Sequence, residues 1–271
     1  MNLLTTEQNS RYSNLDEMST SELLEGINSE DRTVAEVISG ILPSIGVLVN
    51  GIVERMSRGG RVFYIGAGTS GRLGVVDASE IPPTYGVRGK FIGIIAGGDT
   101  AIRSAVEGAE DNEAQGWKDI LAFNPTSDDT VIGIAASGTT PYTAFALVEA
   151  RTHGLLTGCI TSNEGSPITK VVDVPIVADV GPEFVTGSTR MKAGTAAKLI
   201  LNMISTAVMI RLGHVRGCKM VDMELTNSKL IDRGTRMVME ATGIQDYDKA
   251  RELLKKYRHV REAVEAYESH R

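Results

Sequence analysis

Cysteine is scarce in this sequence: Cys159 and Cys218 are the only two, and they form no C-x-x-C pair. That excludes a disulfide framework and a cysteine-rich zinc site, and it points to a reducing compartment, the cytoplasm. Histidine is nearly as rare, and His153, His214, His259 and His270 sit in no ligand spacing. With no H-E-x-x-H and no Cys/His cluster, no protein-bound catalytic metal is expected. Positive charge is not in surplus either, since the net charge is -6, which argues against a nucleic-acid surface. The one basic cluster, KYRHVR at 256–261, stands beside glutamates and reads as a solvated helix face. Long apolar runs are missing too. The longest, LILNMISTAVMI at 199–210, is interrupted by Asn202, Ser205 and Thr206 and reads as a buried helix, not a membrane span. MNLLTTEQNSRYSN has no charged segment followed by an apolar core, so no signal peptide is expected.

Glycine, by contrast, is plentiful: 29 residues, gathered at the ends of apolar runs. STSELLEGINSED reads as a helix capped by Ser19 or Ser21, followed by a second helix over about 33–57 with Pro43 as a kink or break. Strands follow in GGRVFYIGAG, KFIGIIAGG, DTVIGIAASG, LLTGCITS and VDVPIVADV, separated by helical stretches. A long helix is expected over about 189–212, and a charged helical pattern fills the tail. Alternation of this kind predicts an α/β fold with a doubly wound parallel sheet. The expected organisation is an N-terminal arm and helices over 1–50, a ligand-binding sheet domain over 51–221, and a small helical C-terminal appendage over 222–271.

Residues 63–74, FYIGAGTSGRLG, carry Gly66, Gly68 and Gly71 in the spacing G-x-G-x-x-G. A dinucleotide site would also need an acidic residue at the end of the second strand to hold the ribose. Here Asp77 and Glu80 come too early, inside the first helix, and Asp99 comes too late, beyond two glycines. The dinucleotide reading is therefore disfavoured. Hydroxyl groups are the better clue. Thr69 and Ser70 stand at a helix start, and a matching loop, ASGTTPYT, carries Ser137, Gly138, Thr139 and Thr140. Helix N-termini supply unpaired N–H groups, and hydroxyls add neutral donors, so two such loops on adjacent strands would form one phosphate crevice. Neither loop is followed by a Walker lysine, which disfavours a nucleoside triphosphate. Each loop alone reads better as a capped tight turn; two in matching positions favour a small phosphorylated ligand.

GTS at 68–70 with SG-x-T at 137–140 resembles the sugar isomerase (SIS) domain, which binds phosphosugars. Longer stretches narrow the likeness. GAGTSGRLGVVDASEIPPTYG, AVEGAEDNE, IAASGTTPY and GPEFVTGSTRMKAGTAAKLILNMIST are similar to the N-acetylmuramic acid 6-phosphate etherase family, over roughly residues 5–245. The tail of that family usually continues farther into a small helical domain. The resemblance implies cleavage of the D-lactyl ether to N-acetylglucosamine 6-phosphate and D-lactate, with no nucleotide or metal cofactor. It also implies a phosphosugar as the small-molecule partner, no nucleic acid or membrane partner, and a homodimer.

From the residues alone, Glu80 is a solvated carboxylate at the exit of the first helix; the family motif assigns it the proton-donor role toward the lactyl oxygen. Glu107, Glu110 and Glu113 are spaced by three, as on one helical face. Glu107 and Glu113 read as solvated, while Glu110, in EGAED, matches the family's second functional glutamate and is the implied base. Ser188, in TGSTRMK, is a candidate N-cap of the long helix that the resemblance also turns toward the sugar. Arg190, Lys192 and Lys198 could neutralise an anion or pair with acidic helices, and stay outside the expected site. The substrate-binding set is thus Gly68, Thr69, Ser70, Ser137, Gly138, Thr139, Thr140 and Ser188. The alternatives are a non-catalytic phosphosugar-binding regulator, suggested by the GSTRMK signature shared with longer glucokinase regulatory proteins, and a phosphosugar isomerase.

Overall fold

The first long element, α1 (Thr20–Ser57), is one continuous helix. Ser19 and Glu22 form a reciprocal capping box at its start. Of the kink or break expected at Pro43, the break does not occur, and neither does the division into two helices. Proline removes the bond that its N–H would give to the Ser39 carbonyl, but both residues lie on the exposed side of α1, where a carbonyl without a helical donor is open to solvation. This computed structural model describes residues 4–269, which fall into two compact units. The larger comprises the chain up to Ala78 together with Lys90–Ser205, and the smaller Ser79–Gly89 together with the chain from Thr206 onward.

After α1 come β1 (Val62–Gly66), α2 (Gly68–Tyr85), β2 (Phe91–Ile95), α3 (Gly98–Arg103), α4 (Glu113–Leu121), β3 (Thr130–Ile134), α5 (Pro141–Thr152), β4 (Leu156–Thr161), β5 (Val174–Val177) and α6 (Lys192–Arg211). The five strands form one parallel sheet in the order β2-β1-β3-β4-β5. Its central strands are buried along their whole length, as a sheet covered by helices requires. On one face α4 and α5 enclose Phe63, Ile65, Val131, Trp117, Tyr142 and Leu147. On the other, α1 lies along β4 and β5 with Val34, Ile38, Ile45, Leu48 and Ile52 turned inward. Leu48 sits directly over Gly158 of β4. The doubly wound α/β architecture is therefore the observed one.

In the smaller unit a hairpin, β6 (Val215–Arg216) and β7 (Lys219–Met220), precedes α7 (Ser228–Thr242), α8 (Tyr247–Tyr257) and α9 (Val260–Ser269). Val221, Met223, Val238, Ala250, Leu254 and Ala263 form its core. KYRHVR is not one solvated face: it spans the turn from α8 into α9, and Val260 within it is buried. His214 and Arg261 both donate to Asp222, at 2.8 and 2.7 Å. Burial pushes the Asp222 carboxyl up, but these two partners outweigh it and hold it below the usual carboxylate range. His270 lies outside the described residues.

Candidate functional site

The strand order reverses between β1 and β3, and the carboxyl ends flanking such a reversal are where open α/β sheets bind ligands. Both hydroxyl loops leave from that point, one from β1 into α2 and the other from β3 into α5. The three glycines of the first loop are explained by close approach at Gly66 and Gly71 and by a left-handed backbone at Gly68. A Cβ on Gly71 would lie 2.6 Å from the Gly66 carbonyl oxygen, a Cβ on Gly66 would lie 2.8 Å from that of Ile134, and Gly68 has φ of 54°. The spacing therefore folds α2 tightly onto the ends of β1 and β3, with no dinucleotide needed to account for it.

Ser70, in the first turn of α2, lines a narrow cleft with Ala136, Ser162, Thr189 and Gly194. In the second loop the Ser137 hydroxyl lies 2.9 Å from that of Thr139 and accepts the Thr139 N–H. Gly138 has φ of 71°, and a Cβ there would meet the Ser166 hydroxyl at 2.2 Å, so only glycine fits. Thr140 precedes Pro141, which opens α5 at a position that has no need of its N–H. Behind this loop stands Asn163, which sequence reasoning did not single out. It is 2% exposed, and its side-chain NH2 donates to the Ala136 carbonyl at 2.9 Å and to that of Ser137 at 3.3 Å.

Ser188 is not the cap of the long helix. It lies in a turn, its N–H donating to Val185, and α6 begins only at Lys192. Glu183 caps that helix instead, its carboxylate accepting the N–H of Lys192 at 2.9 Å and of Ala193 at 3.0 Å. Burial pushes the Glu183 carboxyl up, against the pull of these N–H groups and the Lys192 charge. The Lys192 ammonium is itself buried and paired with Glu30, so of the two readings for that lysine, pairing with an acidic helix is the one observed. Nothing in local sequence spacing announces a partnership between residues 162 positions apart.

Glu107, Glu110 and Glu113 do not share a helical face. Gly108, with φ of 70°, breaks the path after Glu107; Glu110 sits in a single 3-10 turn, Ala109–Asp111; and Glu113 starts α4. The break has a consequence for the site. It folds Glu107 and Glu110 over a cavity of about 200 Å3 that they share with Gly68 and Arg72. Glu110 and Gly68 thus line the same cavity, and Glu107, exposed to solvent as expected, stands at it as well. Arg72 is positioned by a 3.0 Å bond from its Nε to the Ile102 carbonyl. Glu80 is exposed and lies ten residues beyond Ser70 on α2, which does not end there but continues through Pro82 and Pro83 to Tyr85. Among the described residues no three His, Cys, Asp or Glu side chains gather as a metal site.

With this geometry described, comparison with known proteins locates the chain. Residues 44–151 match the family "Glucokinase regulatory protein N-terminal SIS domain". A phosphoheptose isomerase structure from Francisella tularensis superposes with a TM-score of 0.57 at 16% identity, covering 71% of this chain and 100% of its own, and the likeness is one of fold. The N-acetylmuramic acid 6-phosphate etherase of Bacteroides thetaiotaomicron is 58% identical over 98% of this chain and 96% of its own length. That of Porphyromonas gingivalis strain ATCC 33277 is 61% identical over 96% and 95%. At such identity over nearly the whole length, this chain belongs to the N-acetylmuramic acid 6-phosphate etherase family.

Proposed function

We propose that this chain is a carbon–oxygen lyase that cleaves the D-lactyl ether of N-acetylmuramic acid 6-phosphate, giving N-acetylglucosamine 6-phosphate and D-lactate. The carrying observation is full-length identity of 58% and 61% to etherases of that name. In the ring-opened sugar the C1 aldehyde acidifies the C2 proton. Glu110 takes that proton, the C3–O bond breaks, and Glu80 protonates the departing lactyl oxygen. Glu110 passes the C2 proton to solvent, takes a proton from the water that adds to C3 of the unsaturated aldehyde and delivers it to C2, while Glu80 regains its proton from solvent. The sum is substrate plus water giving sugar phosphate plus lactate, without oxidant, nucleotide or metal. Two carboxyl groups suffice because each proton moves between oxygen or carbon acids within reach of a general acid–base.

The N-terminus of α2 and the hydroxyls of Ser70, Ser137, Thr139 and Thr140 supply the donors for the phosphate, with Gly68, Thr69, Gly138 and Ser188 shaping the crevice. For a chain of net charge -6, such local donors are what draws an anion in. On this reading the enzyme works in the cytoplasm as a homodimer. Free D-lactate released from N-acetylmuramic acid 6-phosphate is the test. Binding without lactate release would favour the regulator, and aldose–ketose interconversion the isomerase.

A further inference from the structure

The segment ahead of α1 is fastened to the segment carrying Ser188 and, through Asn163, to the loop carrying Ser137. The Thr6 N–H donates to Asn163 Oδ1 at 3.3 Å, and Asn163 Nδ2 donates to Thr6 Oγ1 at 3.0 Å. A little farther on, the Ser10 hydroxyl donates to the Phe184 carbonyl at 2.7 Å, and its N–H to Thr186 Oγ1 at 2.9 Å. The Tyr12 ring packs on Phe184 with centroids 4.8 Å apart. One short arm therefore grips the loop carrying Ser188 and, through Asn163, the loop carrying Ser137.

Asn163 converts that grip into an orientation. The Ala136 carbonyl accepts three donors: the Ser162 N–H at 2.9 Å, the Thr161 hydroxyl at 3.1 Å and Asn163 Nδ2 at 2.9 Å. Three donors on one oxygen fix its direction. The peptide is planar and trans, so its N–H, that of Ser137, must point the opposite way, away from the β4 loop. That N–H has no acceptor among the described residues. A buried or half-buried donor without a partner carries a desolvation cost unless something accepts from it, and an anion at the Ser70 and Ser137 hydroxyls would do so.

We infer that Asn163 is a positioning residue of the phosphosugar site, and that Thr6 of the arm acts through it: together they aim the Ser137 N–H at the ligand's phosphate. This rests on the phosphate crevice proposed above. It goes beyond that proposal in assigning the site a backbone donor and a residue outside the two loops that sets it.

The test compares Asn163→Ala, Thr6→Val, Thr6→Ser and the Ser70→Ala, Ser137→Ala double variant in the full-length protein. Calorimetric titration with N-acetylglucosamine 6-phosphate and with unphosphorylated N-acetylglucosamine gives affinities, and lactate release gives KM and kcat. Asn163→Ala should weaken binding of the phosphorylated sugar about tenfold and raise KM more than it lowers kcat. Thr6→Val should show a smaller loss of the same kind, and Thr6→Ser, which keeps the hydroxyl, should bind like the wild type. Thr6→Val and Thr6→Ser decide the matter if Asn163→Ala does not fold. A lowered melting temperature with unchanged affinity in the Asn163 and Thr6 variants, while the serine double variant binds weakly, overturns the inference and leaves the crevice standing. Unchanged affinity in the serine double variant as well removes the crevice, and the inference with it.

Discussion

Replacing Lys192 by methionine removes the buried cation that Glu30 faces and leaves that carboxylate only the exposed Arg11 guanidinium at 3.6 Å, a loss of up to about 3–5 kcal/mol. Lys192→Met should therefore lower the urea midpoint sharply, and adding Glu30→Leu should recover most of the loss; additive losses in the double variant would contradict the pairing. The two proposed catalytic carboxylates should behave differently from this pair and from each other. Either one changed to alanine should cost about a hundredfold to ten-thousandfold in lactate release. Glu110→Ala should also stop exchange of the C2 proton with deuterated solvent, whereas Glu80→Ala should retain exchange and fail to expel lactate. A better leaving group at C3 should partly rescue only Glu80→Ala; the reverse pattern would exchange the roles, and full activity in either would remove both. At this scale the sequence was legible where a residue's neighbours in space are its neighbours in the chain. Ser137 and Thr139, whose hydroxyls bond each other two positions apart, were of that kind. Asn163, Glu183 and Lys192 were not, because their partners come from distant segments. Arg72 and Glu107 were obscured because only the turn at Gly108 gathers them with Glu110.

Secondary-structure elements in this chain are held at their ends by single side chains as much as by periodicity. Asp129, just ahead of β3, accepts from the Arg61 backbone N–H at 2.7 Å, from the Arg61 guanidinium at 2.7 Å and from the Thr126 N–H at 2.8 Å, joining the entries of β1 and β3. Burial pushes its carboxyl up, but the Arg61 and Thr126 donors prevail and hold it below the usual range. A carboxyl with a depressed folded value stabilises the protein above its unfolded value, about 3.9, and loses that contribution as pH falls through the folded value. The gap in unfolding free energy between wild type and Asp129→Asn should thus be about 1–3 kcal/mol at neutral pH and shrink below about pH 4; chemical denaturation across pH measures it, and a gap that widens on acidification would refute the assignment. All five parallel strands could be read from the sequence because apolar runs bounded by glycine leave few alternatives. The hairpin β6–β7 could not, since two-residue strands carry no period. Pro43 misled because its cost depends on which side of α1 it faces, and that is decided by the sheet beneath.

For the molecule as a whole, ligand linkage offers the broadest check. A phosphosugar at a hundred times its Kd should add about 2.7 kcal/mol to folding stability, seen as a raised Tm, while NAD should add nothing; a rise with NAD would revive the dinucleotide reading. Sedimentation velocity should give a dimer, and a monomer at assay concentrations would withdraw the homodimer from the proposal. The sheet order carries one more consequence, for biosynthesis. The apolar stripe of α1 closes on β4 and β5, so Leu48 waits for Gly158. Roughly 110 further residues must leave the ribosome first, which takes on the order of 5–20 s at ordinary elongation rates. For that interval the nascent chain displays Val34, Ile38, Ile45 and Ile52 with no strand to cover them, and a holding chaperone at the exit tunnel is the natural client-taker. Slower translation through the 90–160 region should then lower the soluble yield of this protein even though every finished molecule is identical.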